Sequence, residues 1–156
     1  MRARVLVVDD DEVYLAGMKE LLEDAGHEVF LASTFEFGKQ QLRDHTPDLL
    51  IVDVRLGAFN GLQLISTGQL RIPAIVVTGF DDTVLRADAS VFGASYIVKP
   101  ISPTALMALI DQKLSVASVT ERTSANSILL ADGSAVLPSV AGHAGVAGAH
   151  ALPEPD

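Results

Sequence analysis

The sequence predicts one α/β domain in which five parallel strands alternate with five helices. Three observations lead to this prediction. Short apolar segments recur along the chain, the stretches between them have helical periodicity, and aromatic residues make up only 5% of the composition. Strands joined through helices pair in parallel with right-handed crossovers. The expected architecture is therefore a (βα)5 three-layer sandwich, a doubly wound sheet with helices on both faces.

The predicted strands are short and almost continuously apolar. This pattern is typical of a parallel sheet that is covered on both faces, where Val, Leu and Ile supply most of the buried volume. The five strands are predicted at 4–8, 28–32, 48–53, 74–78 and 95–98.

Each strand is followed by a segment with one apolar stripe, as in a helix that packs on a sheet. In the first of these segments Leu15, Met18 and Leu22 share one face. Asp81 or Asp82 is expected to cap the fourth helix. The later helices are predicted at 34–45, 62–70, 81–92 and 103–115, and residues 57–61 are predicted to form a loop.

The composition excludes several classes of protein. The chain has 156 residues and no cysteine, which excludes disulfides, thiolate metal sites and a cysteine nucleophile. No stretch reaches the ~20 apolar residues that span a bilayer, and the first apolar run ends in acids rather than in a signal-peptide cleavage site. We therefore expect a cytoplasmic protein without a membrane partner. Its net charge of −9 argues against direct nucleic-acid binding.

The composition changes near residue 115. Residues 1–115 are expected to form the domain. Residues 116–156 end in an Ala- and Gly-rich stretch with little periodicity, and they are expected to form a flexible tail with at most one docked segment. No output domain is recognisable in this tail.

Polar residues stand where four of the predicted strands end. Asp9 and Asp10 follow the first strand, Asp53 closes the third, Thr78 closes the fourth, and Lys99 follows the fifth. In doubly wound sheets, ligands bind outside the carboxyl ends of the strands, where the strand order reverses. We therefore expect these residues to form one site.

This set of residues favours phosphoryl chemistry with a hard metal ion. Three carboxylates in one place repel each other and need a cation, and oxygen ligands alone favour Mg²⁺. A carboxylate can also attack phosphorus to give an aspartyl phosphate. The ammonium of Lys99 and the hydroxyl of Thr78 could then stabilise the charge on the phosphoryl oxygens.

These motifs together resemble the receiver domain of response regulators in two-component signal transduction. The resemblance covers residues 4 to about 115. It rests on VVDDD at the first strand, Asp53 followed by Gly61, Thr78–Gly79, and Tyr96-x-x-Lys99-Pro100. It implies a flavodoxin-like fold with strand order 2-1-3-4-5.

The resemblance also implies roles for individual residues. Asp9 and Asp10 would be the acidic residues of the metal site, and Asp53 the phosphoacceptor, which also contacts the metal. Arg55 would supply a main-chain carbonyl to Mg²⁺, the expected cofactor.

A second group of roles concerns the switch. Thr78 and Lys99 would contact the phosphoryl group, and Tyr96 would be the aromatic switch residue. The Lys99–Pro100 peptide bond is expected to be cis, as bonds before proline can be at modest cost.

The implied function is that of a signalling switch rather than an enzyme. A histidine kinase or a histidine phosphotransfer protein would donate the phosphoryl group to Asp53, and the altered surface would bind a downstream protein. The alternative is that this chain is the receiver fragment of a larger transcriptional regulator or hybrid kinase.

The sequence departs from the family pattern after the acceptor, where Met-Pro is common and this chain has Leu56-Gly57. Gly57 is expected to loosen the loop. Two further positions influence water access in this family, and they are occupied here by Arg55 and Phe80. These bulky residues predict slow self-dephosphorylation.

Two enzyme-like or ligand-binding alternatives fit the sequence less well. A phosphatase or phosphotransferase that uses an aspartyl phosphate would usually have a second acid two residues after the nucleophile, where Arg55 stands. A nucleotide- or flavin-binding protein would need a Gly-rich loop after the first strand, where the chain reads DDDE. None of the four histidines has the setting of a catalytic or metal-binding residue.

Overall fold

The computed structural model describes residues 1–67 and 72–132. In this part of the chain the main sheet has five strands, which are β1 (Arg4–Val8), β2 (Glu28–Ala32), β3 (Leu49–Val52), β6 (Ala74–Thr78) and β7 (Ser95–Val98). A small hairpin consists of β4 (Arg55–Leu56) and β5 (Phe59–Asn60). The helices are α1 (Glu12–Asp24), α2 (Phe35–His45), α3 (Leu62–Thr67), α4 (Thr83–Val91) and α5 (Pro103–Asp132).

The main sheet is parallel throughout, in the order β2-β1-β3-β6-β7. This confirms the predicted (βα)5 sandwich and its strand order. The register places Val8 beside Val52, and Val52 beside Val76. β2 lies on one side of β1, and β3 lies on the other side. The connections after β1 and β3 therefore diverge and leave a crevice at the carboxyl edge between them.

Helices cover both faces of the sheet, and each face has its own apolar layer. The layer beneath α1 and α5 includes Val5, Val7, Ile51, Ile75, Leu15, Leu22, Leu106 and Ile110. The layer beneath α2, α3 and α4 includes Leu6, Val8, Leu50, Val52, Val76, Phe35, Leu64 and Ala89. Successive side chains of a strand point to opposite faces, so nearly every residue of β1 and β3 is buried in one layer or the other.

Side-chain caps fix where the helices begin. The carboxylate of Asp11 accepts hydrogen bonds from the first turn of α1, and Asp82 does the same for α4. Thr34 caps α2, and the Ser102 hydroxyl accepts a hydrogen bond from the main chain of α5. Asp82 is thus the cap of the fourth helix.

Gly57 forms part of a tight turn. The loop predicted at 57–61 contains β5, which pairs with β4 in antiparallel register. Gly57 has a φ of +61°, a conformation that glycine adopts at little cost. A proline, whose φ is fixed near −65°, could not take this position. Gly57 is therefore the turn residue of the hairpin that replaces the expected loop.

The last helix is much longer than predicted. It runs from Pro103 to Asp132, so the predicted end of the helix at residue 115 is wrong. The predicted division into a domain at 1–115 and a tail at 116–156 stays a prediction. No Gly or Pro occurs in 116–132. Extending an existing helix adds one hydrogen bond per residue without a new nucleation cost. The predicted tail residues 133–156, and the predicted end of α3 at residue 70, lie outside the described residues.

Within the described ranges, no helix is both long enough and apolar enough to cross a membrane.

Candidate functional site

The predicted site residues stand at the carboxyl edge of the sheet, where main-chain hydrogen bonds hold them in place. Asp53 follows β3, and its N–H donates to the carbonyl of Val8 at 2.9 Å. Lys99 follows β7, and its N–H donates to the carbonyl of Thr78 at 2.7 Å. The ladder of the sheet thus extends one residue beyond the strands, and it fixes the main chain from which each functional side chain projects.

Three carboxylates meet at this edge. Ligand oxygens of Asp9, Asp10 and Asp53 all lie within 4.8 Å of one another. Asp9 is buried, Asp53 is half-buried and Asp10 is exposed, so the cluster is reachable from solvent on one side. Main-chain donors orient two of the three, because Asp9 accepts a hydrogen bond from the N–H of Asp11 at 2.9 Å and Asp53 from the N–H of Arg55 at 3.2 Å.

Lys99 supplies the cation that the acids require. Its ammonium nitrogen lies 2.6 Å from Oδ2 of Asp9 and 3.5 Å from Oδ2 of Asp53. Burial lowers the pKa of Lys99, but the hydrogen bond and charge of Asp9, together with the charge of Asp53, raise it above its ordinary value overall. Lys99 is therefore a stable positive charge between two of the carboxylates.

The carboxylate of Asp53 is harder to ionise than an ordinary aspartate. Burial raises the pKa of Asp53, and the charge of Asp9 adds to this effect. The hydrogen bond from Arg55 and the charge of Lys99 act in the opposite direction and do not fully compensate. The carboxylate of Asp53 is therefore only partly compensated by its surroundings.

Sequence reasoning missed one residue of this site, Tyr14. The ammonium nitrogen of Lys99 lies 3.8 Å from the centre of the Tyr14 ring. Burial raises the pKa of the Tyr14 hydroxyl. The helical spacing could have predicted that Tyr14 faces the sheet, because Tyr14 stands four residues before Met18 and therefore lies on the same face of α1.

Thr78 and Tyr96 occupy their expected elements but belong to a neighbouring group of contacts. Thr78 is buried at the end of β6, and its hydroxyl accepts a weak hydrogen bond from the N–H of Phe80 at 3.4 Å. The Tyr96 hydroxyl donates to the carbonyl of Phe80 at 2.8 Å and accepts from the N–H of Asp82 at 3.3 Å. Tyr96 therefore fastens the connection between β6 and α4.

Arg55 and Phe80 contact each other beside the acid cluster. The guanidinium carbon of Arg55 lies 4.0 Å from the centre of the Phe80 ring, a cation–π geometry. Both side chains are exposed, and Phe80 has 54% of its surface accessible. The pair joins the loop after β3 to the loop after β6.

Gly61 allows the chain to pass close to Asp53. A β-carbon at this position would collide with the main-chain carbonyl of Asp53, and it would lie 2.8 Å from a side-chain carbon of Val52. The Lys99–Pro100 peptide bond is cis, as expected.

Comparison with known proteins identifies the family. The sequence model of the response regulator receiver domain matches residues 5–111. The alginate biosynthesis transcriptional regulatory protein AlgB of Pseudomonas aeruginosa is 33% identical over 128 residues, which are 80% of this chain and 28% of AlgB. The alkaline phosphatase synthesis transcriptional regulatory protein PhoP of Bacillus subtilis is 30% identical over 107 residues, 66% of this chain and 45% of PhoP. The chain thus spans less than half the length of these two relatives.

Solved structures agree with this result. A CheY-like response regulator receiver domain protein from Methanospirillum hungatei is 29% identical, with a TM-score of 0.73 over 77% of this chain and 99% of that one. NtrX from Brucella abortus, at 24% identity, shares the fold with a TM-score of 0.73 over 80% of this chain and 30% of its own. Receiver domains are signalling switches of two-component systems rather than conventional enzymes. This chain belongs to the response regulator receiver domain family.

Proposed function

We propose that this chain accepts a phosphoryl group on Asp53 and thereby switches its partner-binding surface. The observation that carries the proposal is the position of the Lys99 ammonium, which contacts Asp9 and lies 3.5 Å from Asp53 within a cluster of three carboxylates. In this arrangement the carboxylate of Asp53 provides the nucleophile. The ammonium of Lys99 provides a charge that stabilises the transferred phosphoryl group.

The donor set of the cluster fits a magnesium ion, because it offers only oxygen ligands. Asp9, Asp10, Asp53 and the main-chain carbonyl of Arg55 would hold the ion. When bound, Mg²⁺ supplies positive charge that neutralises the phosphoryl oxygens.

The residues of this chain would act as follows. A carboxylate oxygen of Asp53 attacks the phosphorus of a phosphohistidine. The new O–P bond forms as the P–N bond breaks, and the imidazole leaves with the electron pair of that bond. Lys99 donates a hydrogen bond to the phosphoryl oxygens, and Thr78 offers its hydroxyl to another of them. The donor would be a histidine kinase or a histidine phosphotransfer protein.

The switch would depend on Thr78 and Tyr96. Movement of Thr78 towards the phosphoryl group would pull on Phe80, whose N–H donates to the Thr78 hydroxyl. The carbonyl of Phe80 also holds Tyr96. The surface formed by α4, β7 and α5 would then change for a downstream protein target. A shift from 1:99 to 99:1 between two states requires about 5.5 kcal/mol of differential stabilisation.

Intact-mass spectrometry after incubation with acetyl phosphate and Mg²⁺ tests the phosphoryl transfer. We expect one added phosphoryl group that requires Mg²⁺ and is absent from Asp53→Asn. The matched control is Asp48→Asn, which changes an acid at the opposite edge of the sheet, before β3. An adduct that persists in Asp53→Asn would place the acceptor elsewhere, and the absence of any adduct in the wild-type protein would reject the proposed chemistry.

A second candidate is that this receiver serves a longer transcriptional regulator or a hybrid kinase. The observation that favours it is length, since AlgB and PhoP are named as transcriptional regulatory proteins and this chain spans 28% and 45% of them. The mass of the protein detected in its native cells with an antibody against the receiver would decide. A species much larger than 16.5 kDa would support this candidate. A species of 16.5 kDa would support a stand-alone receiver. We propose that such a receiver acts in the cytoplasm through protein partners and not through nucleic acid.

A further inference from the structure

Tyr14 lies beside the acid cluster because the start of α1 is tied to it. The carboxylate of Asp11 accepts hydrogen bonds from the N–H groups of Val13 at 3.0 Å and Tyr14 at 3.1 Å. The N–H of Asp11 in turn donates to Asp9 at 2.9 Å. This chain of hydrogen bonds fixes the main chain of Tyr14 relative to Asp9, one of the two carboxylates near Lys99.

The Lys99 ammonium has contacts on three sides. Two are carboxylate oxygens, at 2.6 Å on Asp9 and 3.5 Å on Asp53. The third is the face of the Tyr14 ring, 3.8 Å from the nitrogen to the ring centre. The side chain of Lys99 is only 22% exposed. The ring therefore occupies a position where water would otherwise contact the Lys99 ammonium. Because this cation is partly desolvated, the negative face of the aromatic ring attracts it more strongly than it would an exposed cation.

The hydroxyl of Tyr14 does not explain its position. This oxygen is buried and has no hydrogen-bond partner among the described residues. A buried hydroxyl without a partner costs stability rather than adding to it. The ring, and not the hydroxyl, is therefore the part of Tyr14 that serves the site.

We propose that Tyr14 is a positioning residue whose ring holds the Lys99 ammonium between Asp9 and Asp53. Its effect on phosphoryl transfer rests on the function proposed for Asp53. The inference predicts that the charge distribution of the ring matters and that the hydroxyl does not. Tyr14→Phe keeps the ring, whereas Tyr14→Leu keeps an apolar side chain without a π face.

The first test uses NMR on the unphosphorylated protein and so does not depend on phosphoryl transfer. The ε-methylene signal of Lys99 is assigned from its loss in Lys99→Arg. Because the ring current shields groups above the ring, this signal should lie upfield in the wild-type protein and in Tyr14→Phe. It should move towards the position of exposed lysines in Tyr14→Leu. An identical ε-methylene shift in the wild type and in Tyr14→Leu would overturn the inference.

The second test separates ring electrostatics from shape. Phenylalanine analogues with one, two and three ring fluorines, placed at position 14, keep the shape while they weaken the negative face of the ring. The rate of phosphorylation by acetyl phosphate should fall stepwise along the series, by roughly 3- to 30-fold in total. A flat series would show that Tyr14 only fills space, and would overturn the inference.

Phe37→Leu is the matched control, because it removes an aromatic ring that is 42% exposed on α2 and outside the acid cluster. It should phosphorylate at the wild-type rate. An equal loss of rate in Phe37→Leu and Tyr14→Leu would count against a specific role for Tyr14. If the wild-type protein accepts no phosphoryl group, the function proposed for Asp53 fails, and the NMR test still decides whether the Tyr14 ring lies against the Lys99 side chain.

Discussion

Single residues at the carboxyl edge combine precise placement with incomplete charge compensation. Asp53 and Lys99 are placed by main-chain hydrogen bonds that extend the sheet by one residue. Lys99 lies closer to Asp9 than to Asp53, so the proposed acceptor keeps part of its charge uncompensated. The ion pair that Lys99 makes with Asp53, at 3.5 Å, is looser than the one that it makes with Asp9, at 2.6 Å.

Phe80→Ala tests whether the contact between Arg55 and Phe80 restricts the access of water to the proposed acceptor, Asp53. Removal of the ring should admit water, and the phosphorylated protein should lose its phosphoryl group roughly two- to fivefold faster. Decay of the phosphoprotein, followed by intact mass after removal of acetyl phosphate, measures this. Arg55→Ala should give a similar change, and the double variant should add little to either. Fully additive effects would contradict a joint role.

Gly61→Ala should destabilise the fold and displace Asp53, since the new β-carbon meets the carbonyl of Asp53. Overpacking of this kind typically costs about 1–3 kcal/mol. Urea denaturation gives the change in the free energy of unfolding. Gly17→Ala is the matched control, because a β-carbon there meets no atom within 4 Å. It lies in α1 and should gain about 0.5–1 kcal/mol. Equal effects of the two substitutions would refute the close approach of Gly61.

Secondary-structure elements differ in how much of their length packs against the core, and α5 is an example. The first part of α5 is anchored by Leu106, Ile110 and Leu114, all buried against the sheet. Val116 and Val119 further along the same helix are 61% and 63% exposed. The helix therefore has a packed part and a part that continues beyond the core on helical hydrogen bonds.

Ile110→Ala and Val116→Ala should separate these two parts of α5. Ile110 is fully buried, and its truncation should lower the free energy of unfolding by roughly 2–5 kcal/mol. Val116→Ala should change it by no more than about 0.5 kcal/mol. Thermal or urea denaturation of both variants measures the difference. A large loss from Val116→Ala would mean that the core extends further along α5 than the structure places it.

At the scale of the whole molecule, the charge of the site affects folding. Because burial raises the pKa of Asp53 above its ordinary 3.8, the folded state binds this proton more tightly than the unfolded state. Below pH 3.8 the carboxyl is protonated in both states and costs nothing. As the pH rises through the folded-state pKa, stability is lost, and above that pKa the full cost remains.

Asp53→Asn should therefore raise the free energy of unfolding at neutral pH, because it removes the carboxylate that is costly to ionise. The gain should shrink as the pH falls and disappear below the ordinary pKa of aspartate. Urea denaturation of the wild type and of Asp53→Asn between pH 3 and pH 8 tests this, with Asp48→Asn as the control. A gain that is independent of pH would mean that ionisation of Asp53 is not its cause.

Much of this molecule follows from the sequence by itself. Apolar runs and helical stripes predicted the five strands and the residues at their carboxyl ends, because side-chain periodicity and capping are local properties. Their alternation predicted parallel pairing, whereas the strand order was implied by the family resemblance. Strands 4–8, 28–32, 74–78 and 95–98 have the bounds that were predicted. A rule of topology and a family resemblance predicted that Asp53 and Lys99 lie at one edge of the sheet. The structure places the two residues together there.

Only the tertiary structure decided the distances and the environment. Lys99 is 90 residues from Asp9 in sequence, and its preference for Asp9 over Asp53 depends on how β1, β3 and β7 are placed in the sheet. The ring of Tyr14 and the position of Gly61 are likewise contacts between separate elements. The full length of α5 escaped prediction because a helix that is already nucleated can continue through a weakly periodic sequence. Periodicity determines which element forms, whereas packing determines which side chains meet.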